Sequence, residues 1–500
     1  MPETSAGPSS GEHAGETSAS AVQRYLPWVV ASALFMEQLD STIVNTAIPA
    51  MAASLGVAPL SLKAIVASYI VSLAVGIPVS GWIADRFGTR RVFGVAVALF
   101  TVTSIACGLS VNVPMLVAAR ILQGLAAAMM TPVGRLAVVR AFPKSELLVA
   151  MNFVVIPALI GPLLGPTVGG LIVHWVSWRA IFFVNVPIGI AALVVIHRYM
   201  PDYHGDGARP LDFVGLVLFG SGMALLSWLL EVFGEHELNA IQGASVLILA
   251  LGLLAAYVWH ARQTTYPLIR LSLFGIRTFR VSVAGGFVTR LGIGGIPFLL
   301  PLLYQLALGL PAWASGLLTM PTAAGAIGMK FLSSALLRRY GFRSVLIWNT
   351  VLVGTTICGF SLITPGTPLA VIVLLASAQG VFNSLQFTCL NSMGYADIAP
   401  ADSSMATSIA STFQQLSMGF GLACGSLFAA WYLGSVPQTD ALAVASALHR
   451  TFLTLGVMTM LSSLAFLTLH REDGDNVSRR AAGLPHEPPD REPVEHNATL

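Results

Sequence analysis

Apolar runs of bilayer-crossing length follow one another along this chain, separated by short polar breaks. A helix needs about 20 mostly apolar residues to cross the hydrocarbon core. Such runs recur at residues 26–49, 61–80, 92–110, 113–136, 147–173, 180–199, 212–232, 242–260, 281–304, 313–336, 344–364, 367–391, 404–433 and 446–469. They predict fourteen membrane-spanning helices, and hence an all-α membrane protein. Residues 1–24 are rich in Ser, Gly, Glu, Ala and Thr, and 471–500 are polar and proline-bearing, so both are expected to be disordered tails. The start shows no basic patch followed by a short apolar run and a small-residue cleavage site, which argues against a signal peptide.

Lys/Arg placement orients the spans. An even number of crossings puts both tails on one side, and nineteen Lys/Arg then fall on that side, against Lys63, Arg179 and Arg450 opposite. By the positive-inside rule the tails are expected to be cytoplasmic. Arg120, Arg135, Arg290 and Lys330 remain inside the spans. Composition agrees: 55% of residues are hydrophobic, 10% charged, and the mean hydropathy is +0.77, which excludes a water-soluble enzyme. A net charge of +3 offers no surplus for nucleic acid. The four cysteines lie in apolar runs without paired spacing, the histidines do not cluster, and neither a phosphate loop nor an HExxH site is present. No metal, no cofactor and no ATP hydrolysis are expected.

An internal duplication is visible. DRFGTRRV at 85–92 resembles RRYGFRSV at 338–345, an offset of 253, and Gln123-Gly124 recurs as Gln379-Gly380, an offset of 256. Two near-equal offsets predict two six-helix bundles, 25–200 and 263–470, with two additional helices inserted within 201–262. Chance similarity of two basic loops is the alternative.

Ionisable groups at membrane depth are expensive, so they face a cavity or a partner. Glu37 and Asp40, three residues apart near the middle of the first span, share one face, where low dielectric and mutual repulsion disfavour double ionisation. Such a pair can bind and release a proton; alternatively, one carboxylate permanently neutralises an arginine and ties two helices. Arg120 cannot discharge itself and calls for one of these carboxylates. Arg135, fifteen residues further on, is about 22 Å along the same helix, within reach of the inner interface. Arg290 and Lys330 have no acidic residue on their own spans. Either a negatively charged substrate completes their charge, or Glu231 or helix-end carbonyls do. The polar span residues Asn45, Gln123, Asn383 and Gln386 are candidates for lining a substrate cavity, with interhelical glue as the alternative.

Two further stretches suggest moving parts. In GPLLGPTVGG, Gly161, Gly165 and Gly169 make a stripe without side chains, beside Gly170, and Pro162 and Pro166 favour a bend. Gly81, Asp85, Arg86, Gly88, Arg90 and Arg91 are read as the loop between the second and third spans, with glycines for a tight turn and Asp85 latching a neighbouring helix end.

LDSTIVNTAIP (39–49), GWIADRFGTRR (81–91), RILQG (120–124), GPLLGPTVGG (161–170), WRAIFFVNVPIG (178–189) and LDFVG (211–215) follow in the order of the major facilitator superfamily, and specifically of its fourteen-helix drug:proton antiporters of the EmrB/QacA type, which the chain resembles over about 25–470. MTPVGRL (130–136), the arginine of FVTRLGIGGIPF (287–298) and the lysine of GMKF (328–331) resemble the MdtD-type multidrug transporters of that family. The resemblance implies a proton-driven exporter of small molecules in the bacterial inner membrane. It implies proton coupling at Asp40 and Arg120, gating at Gly81 to Arg91, and an antiporter motif in the glycine-rich fifth helix. The chain departs from the family at Ala64, where tryptophan is common, and at Glu37. The reading is therefore a proton-coupled antiporter working by alternating access, with small molecules, protons and the lipid bilayer as partners and a monomer as the expected state. Export of an organic anion or a metal–carboxylate chelate, and import on the same fold, are the alternatives.

Overall fold

The computed structural model describes residues 10–142, 144–205, 210–233, 240–399 and 402–474. In lipid every backbone N–H and C=O must be satisfied within its own segment, so apolar runs of this length become helices. They are α1 (Ser10–Leu55), α2 (Lys63–Phe87), α3 (Thr89–Gly108), α4 (Val113–Ala141), α5 (Lys144–Trp175), α6 (Ala180–Tyr199), α7 (Phe213–Phe233), α8 (Ala240–Gln263), α9 (Arg277–Ala307), α10 (Ala312–Tyr340), α11 (Phe342–Leu362), α12 (Leu369–Gly394), α13 (Ser403–Leu433) and α14 (Ala441–Thr468). Eleven are long and apolar enough to cross a membrane; α1, α5 and α10 complete the expected series. Hydroxyls at membrane depth are largely spent on their own helices, as in Thr46 to Ile43 O (3.1 Å), Ser72 to Tyr69 O (3.0 Å) and Thr451 to Ala447 O (2.8 Å).

At the start of the chain the expectation is corrected. Within the described residues the helix already includes Ser10, so residues 10–24 prolong α1. Once a long helix is nucleated, each further residue adds one hydrogen bond, and Ala, Glu and Gln resist this little. Residues 1–9 and 475–500, which hold the remainder of the expected tails, lie outside the described residues.

The duplication is visible in the packing. α1 packs on α4, α5 and α6, α4 on α2 and α3, and α3 on α6; in the second half α10 with α12, α11 with α12 and α11 with α14 repeat the α2–α4, α3–α4 and α3–α6 contacts. Gly88 (φ 90°) and Gly341 (φ 73°) occupy the left-handed turn before α3 and α11, the two halves of the DRFGTRRV and RRYGFRSV repeat. Gly124 and Gly380 also do the same work: a Cβ would lie 2.4 Å from Tyr69 O in the first and 1.7 Å from Thr322 O in the second. Close crossings of α4 on α2 and of α12 on α10 depend on them.

Across the seams, α2 meets α13 and α5 meets α10. On α5 the glycine stripe faces α1, since Cβ atoms at Gly161, Gly165 and Gly169 would strike Gln38, Thr42 and Ile43. Gly170 instead lies against Ala312, and Gly316 against Pro166, with Thr167 donating to Gly316 O at 3.2 Å. Together with Gln305 to Thr46 O (3.0 Å) and Leu60 N to Gln438 Oε1 (3.1 Å), these contacts join the halves at the ends remote from the chain termini.

The inserted pair α7–α8 packs on α2 and α13. Asp212 holds it: its carboxylate caps α7 at Gly215 N (2.8 Å), meets His260 Nε2 of α8 (2.7 Å) and accepts from Leu268 N (3.0 Å). Burial opposes the charge on Asp212, but His260 and the two N–H donors hold its carboxyl below the usual range. The stability this adds is present above the ordinary value of 3.8 and disappears as pH falls through the lower folded value.

Gly165→Ala should lower thermal stability in detergent by about 1–3 kcal/mol, because its methyl must displace Thr42. Gly81→Ala, whose methyl meets nothing within 4 Å inside α2, should be neutral or stabilising by up to about 1 kcal/mol.

Candidate functional site

Asp40 of α1 sits at the centre of a polar knot inside the first half. Its Oδ2 accepts from Arg120 Nη1 at 2.5 Å, and Oδ1 accepts from Asn185 Nδ2 (2.8 Å) and Gln123 Nε2 (3.2 Å). Gln123 Oε1 takes a second bond from Arg120 (2.7 Å), while its amide and that of Asn185 both reach Ser104 Oγ (2.8 and 3.2 Å). Arg120 also donates through Nε to Ile65 O (3.3 Å) and lies over the Tyr69 ring, 4.2 Å from its centroid. Five helices therefore converge on one ion pair: α1, α2, α3, α4 and α6. Both of its side chains are 0% exposed. Such a pair stands in low dielectric only because its remaining hydrogen-bonding capacity is largely met. Arg120 Nη2 and Tyr69 Oη stay unpartnered beside it.

Glu37, one helical turn before Asp40, does not join this knot. Its Oε2 accepts from Thr131 Oγ1 on α4 at 2.7 Å, and the exposed Arg135, one turn beyond Thr131, attracts it electrostatically. The two carboxylates expected to act as a pair thus have separate environments.

In the second half, Arg290 is half-buried near the middle of α9, and no hydrogen bond or ion pair ties its side chain to the described residues. Lys330 of α10 is exposed, donating to Thr388 Oγ1 (3.0 Å), 5.4 Å from the centroid of Phe387. The spans of this half contain no Asp or Glu. Glu231, the acidic partner considered for these cations, has a side chain outside the described residues.

Two proposed substrate contacts are corrected. Gln123 is fully buried in the Asp40 knot, and Gln386, 2% exposed, accepts from Asn349 and donates to Thr350 within the second half. Amides buried in apolar surroundings are used up by local partners. Asn383 is half-buried; Asn45 is buried with Oδ1 unpartnered.

The expected gating loop is also corrected. α2 runs on to Phe87 and α3 starts at Thr89, so Gly81, Asp85 and Arg86 are helical and Gly88 alone makes the turn. Asp85 does latch a helix end, through Arg140 of α4 at 2.8 Å. Arg86 is exposed. The segment after α6 folds back onto this turn. Asp202 accepts from Arg90 N (3.0 Å), Thr89 N donates to Tyr203 O (2.9 Å), and the Arg90 guanidinium reaches His197 O.

Asn185, Ser104 and Thr131 received no role from the sequence. Asn185 stood inside WRAIFFVNVPIG as a lone amide in an apolar span, which was the available signal. Ser104 carried none, because a serine at membrane depth usually bonds its own helix.

Removing one partner of the central pair leaves the other charge buried and alone. Asp40→Asn should therefore lower unfolding stability by about 3–5 kcal/mol, and adding Arg120→Gln to it should recover much of the loss. Thermal unfolding of the purified variants in detergent reads both.

Residues 30–422 match the family model described as Major Facilitator Superfamily, with a second match over 284–494. "Putative multidrug resistance protein MdtD" of Serratia proteamaculans is 36% identical over 439 residues, covering 88% of this chain and 92% of the relative. Its namesake in Cronobacter sakazakii is 37% identical over 465 residues, covering 92% and 96%. Among solved structures, a D-xylose-proton symporter superposes with a TM-score of 0.64 at 15% identity, covering 90% of this chain and 98% of the other. An auto-inhibited POT family peptide transporter superposes at 0.66 and 16%, covering 89% and 96%. Two six-helix halves with an inserted pair, a buried acid–arginine centre and these likenesses lead to one assignment: the chain belongs to the major facilitator superfamily and is a membrane transporter of small molecules, not an enzyme.

Proposed function

We propose that this transporter exports small organic molecules from the cytoplasm in exchange for protons, by alternating access of its two halves in a bacterial inner membrane, with both termini cytoplasmic. The observation that carries this reading is the concentration of membrane-depth carboxylates in α1 of one half, linked by hydrogen bonds to α4, while the other half holds Arg290 and Lys330 in spans without an acid. A carboxylate whose protonation alters a helix–helix bond ties proton occupancy to helix position. The curated relatives are named for multidrug resistance, which supports drugs or toxic metabolites as cargo. One charge crossing 100 mV supplies about 2.3 kcal/mol, enough for severalfold to several-tenfold accumulation. With the termini cytoplasmic, the contacts of α5 with α10 close the outer side.

A second reading concerns the cargo. Arg290 and Lys330, in spans without acids, favour an organic anion or a metal–carboxylate chelate over a lipophilic cation. Proteoliposomes with an imposed pH gradient separate the two. Proton-coupled efflux should appear in oriented vesicles and disappear when the gradient is collapsed; uptake down the same proton gradient would instead make the protein an importer. Arg290→Ala and Lys330→Ala should reduce transport of di- and tricarboxylates about tenfold or more, roughly 1.4 kcal/mol each, and leave cationic dyes unaffected. Selective dye transport by the unaltered protein would discard the anion reading.

A further inference from the structure

Along α12 one stripe of residues opens toward the side of the termini. Ile372, Ala376 and Gly380 are buried, Asn383 is half-buried, and Phe387 is 41% exposed, with Asn391 half-buried one turn further on. The two cations of this half flank that opening. Lys330 of α10 donates to Thr388 Oγ1, while the Arg290 guanidinium folds back along α9 to reach α12: a Cβ placed on Gly286 would lie 2.8 Å from its Nη1 and 3.1 Å from Leu390. At 3.6 residues per turn, Thr388 and Leu390 stand about 200° apart around α12. Of the two arcs between them, one is closed by the buried Leu385, Cys389 and Met393, and the other carries Phe387 and Asn391. Lys330 is exposed about 15 Å from the end of α10. An ammonium at that depth has water beside it rather than acyl chains, so the open arc faces an aqueous vestibule.

Resting on the anion reading of the cargo, we propose that this vestibule binds aromatic carboxylates, with Phe387 selecting them over aliphatic acids and Asn391 accepting from a ring hydroxyl. Arg290 and Lys330 supply the donors for a carboxylate, the guanidinium as a planar fork. They serve an aliphatic polycarboxylate equally well, so the discrimination lies elsewhere. The Phe387 ring, 5.4 Å from Lys330 Nζ, presents apolar area beside the cations. A flat arene covers that area by stacking, whereas the charged groups of an aliphatic polyacid leave it wet. Asn391 adds an acceptor. Its Nδ2 is spent on Phe387 O at 3.0 Å, which leaves Oδ1 without a donor among the described residues. A phenolic O–H satisfies that oxygen, and a second carboxylate is repelled by it.

Equilibrium dialysis of the full chain in lipid nanodiscs, with empty nanodiscs as the blank, reads binding without any gradient. The unaltered protein should bind naphthoate more tightly than tricarballylate, an aliphatic tricarboxylate. Phe387→Leu should weaken naphthoate about tenfold and leave tricarballylate unchanged. Phe387→Tyr should keep naphthoate binding, and Lys330→Ala should weaken both ligands. Among hydroxynaphthoate isomers at least one should bind more tightly than naphthoate, by a margin that vanishes in Asn391→Ala; no such isomer would overturn the hydroxyl contact. Tighter binding of tricarballylate, or equal loss of both ligands in Phe387→Leu as a merely structural role would give, would overturn the aromatic selection while the anion reading stands. Preference for naphthylmethylammonium over naphthoate would overturn both. Naphthoate bound as stated but not carried outward under a pH gradient would refute export and support the site.

Discussion

A guanidinium that cannot lose its proton, placed where no water reaches it, demands a carboxylate, and the first half of this protein is arranged around that demand. Arg120 fixes α4 to Asp40 of α1; Gln123, Asn185 and Ser104 then recruit α3 and α6, and Ile65 O with Tyr69 recruits α2. An apolar replacement of similar shape is often as stable as a buried ion pair, so stability alone does not explain its presence. Its geometry does define one relative position of five helices, because each donor reaches Asp40 from a different direction or passes through a shared neighbour.

The second half keeps the scaffold of this arrangement without its charges. Gly380 repeats the close crossing of Gly124, and Gln379 stands where Gln123 does, accepting from Thr356 Oγ1 at 2.5 Å. At the offset of 256 that relates the two glutamines, Arg120 corresponds to Ala376, and the amide nitrogen of Gln379 is left without a partner. Duplicated helices with the same packing thus carry different electrostatics. One half balances its charges internally, and the other leaves two cations in spans that contain no acid.

Much of the fold was legible in the sequence because lipid imposes one rule on every span, and run length reports it directly. The repeat was legible through glycines, since Gly88 and Gly341 sit where no other residue is comfortable. Charge alone narrowed the partner of Arg120 to Asp40 or Glu37, and only the family resemblance pointed to Asp40. What the sequence concealed was direction. Gln123 and Gln386 share a residue type with cavity-lining amides, and only the rotation of α4 and α12 turns them into buried partners. Gly81 looked like a turn residue beside DRFG, yet α2 continues through it, because the chain needs a single left-handed residue there and Gly88 supplies it. The role of Asp212 in LDFVG was hidden because its partners, His260 and Leu268, lie about fifty residues away in sequence.

The inserted pair gives the duplicated halves unlike flanks. α7 lies against both α2 and α13, the helices that meet along one seam, and Asp212 ties the pair to the strand of chain entering the second half. Among the described residues, α5 and α10 meet along the other seam without such a companion. A molecule dissolved in the bilayer and diffusing sideways toward the protein consequently finds one junction screened by two additional helices and the opposite one bare.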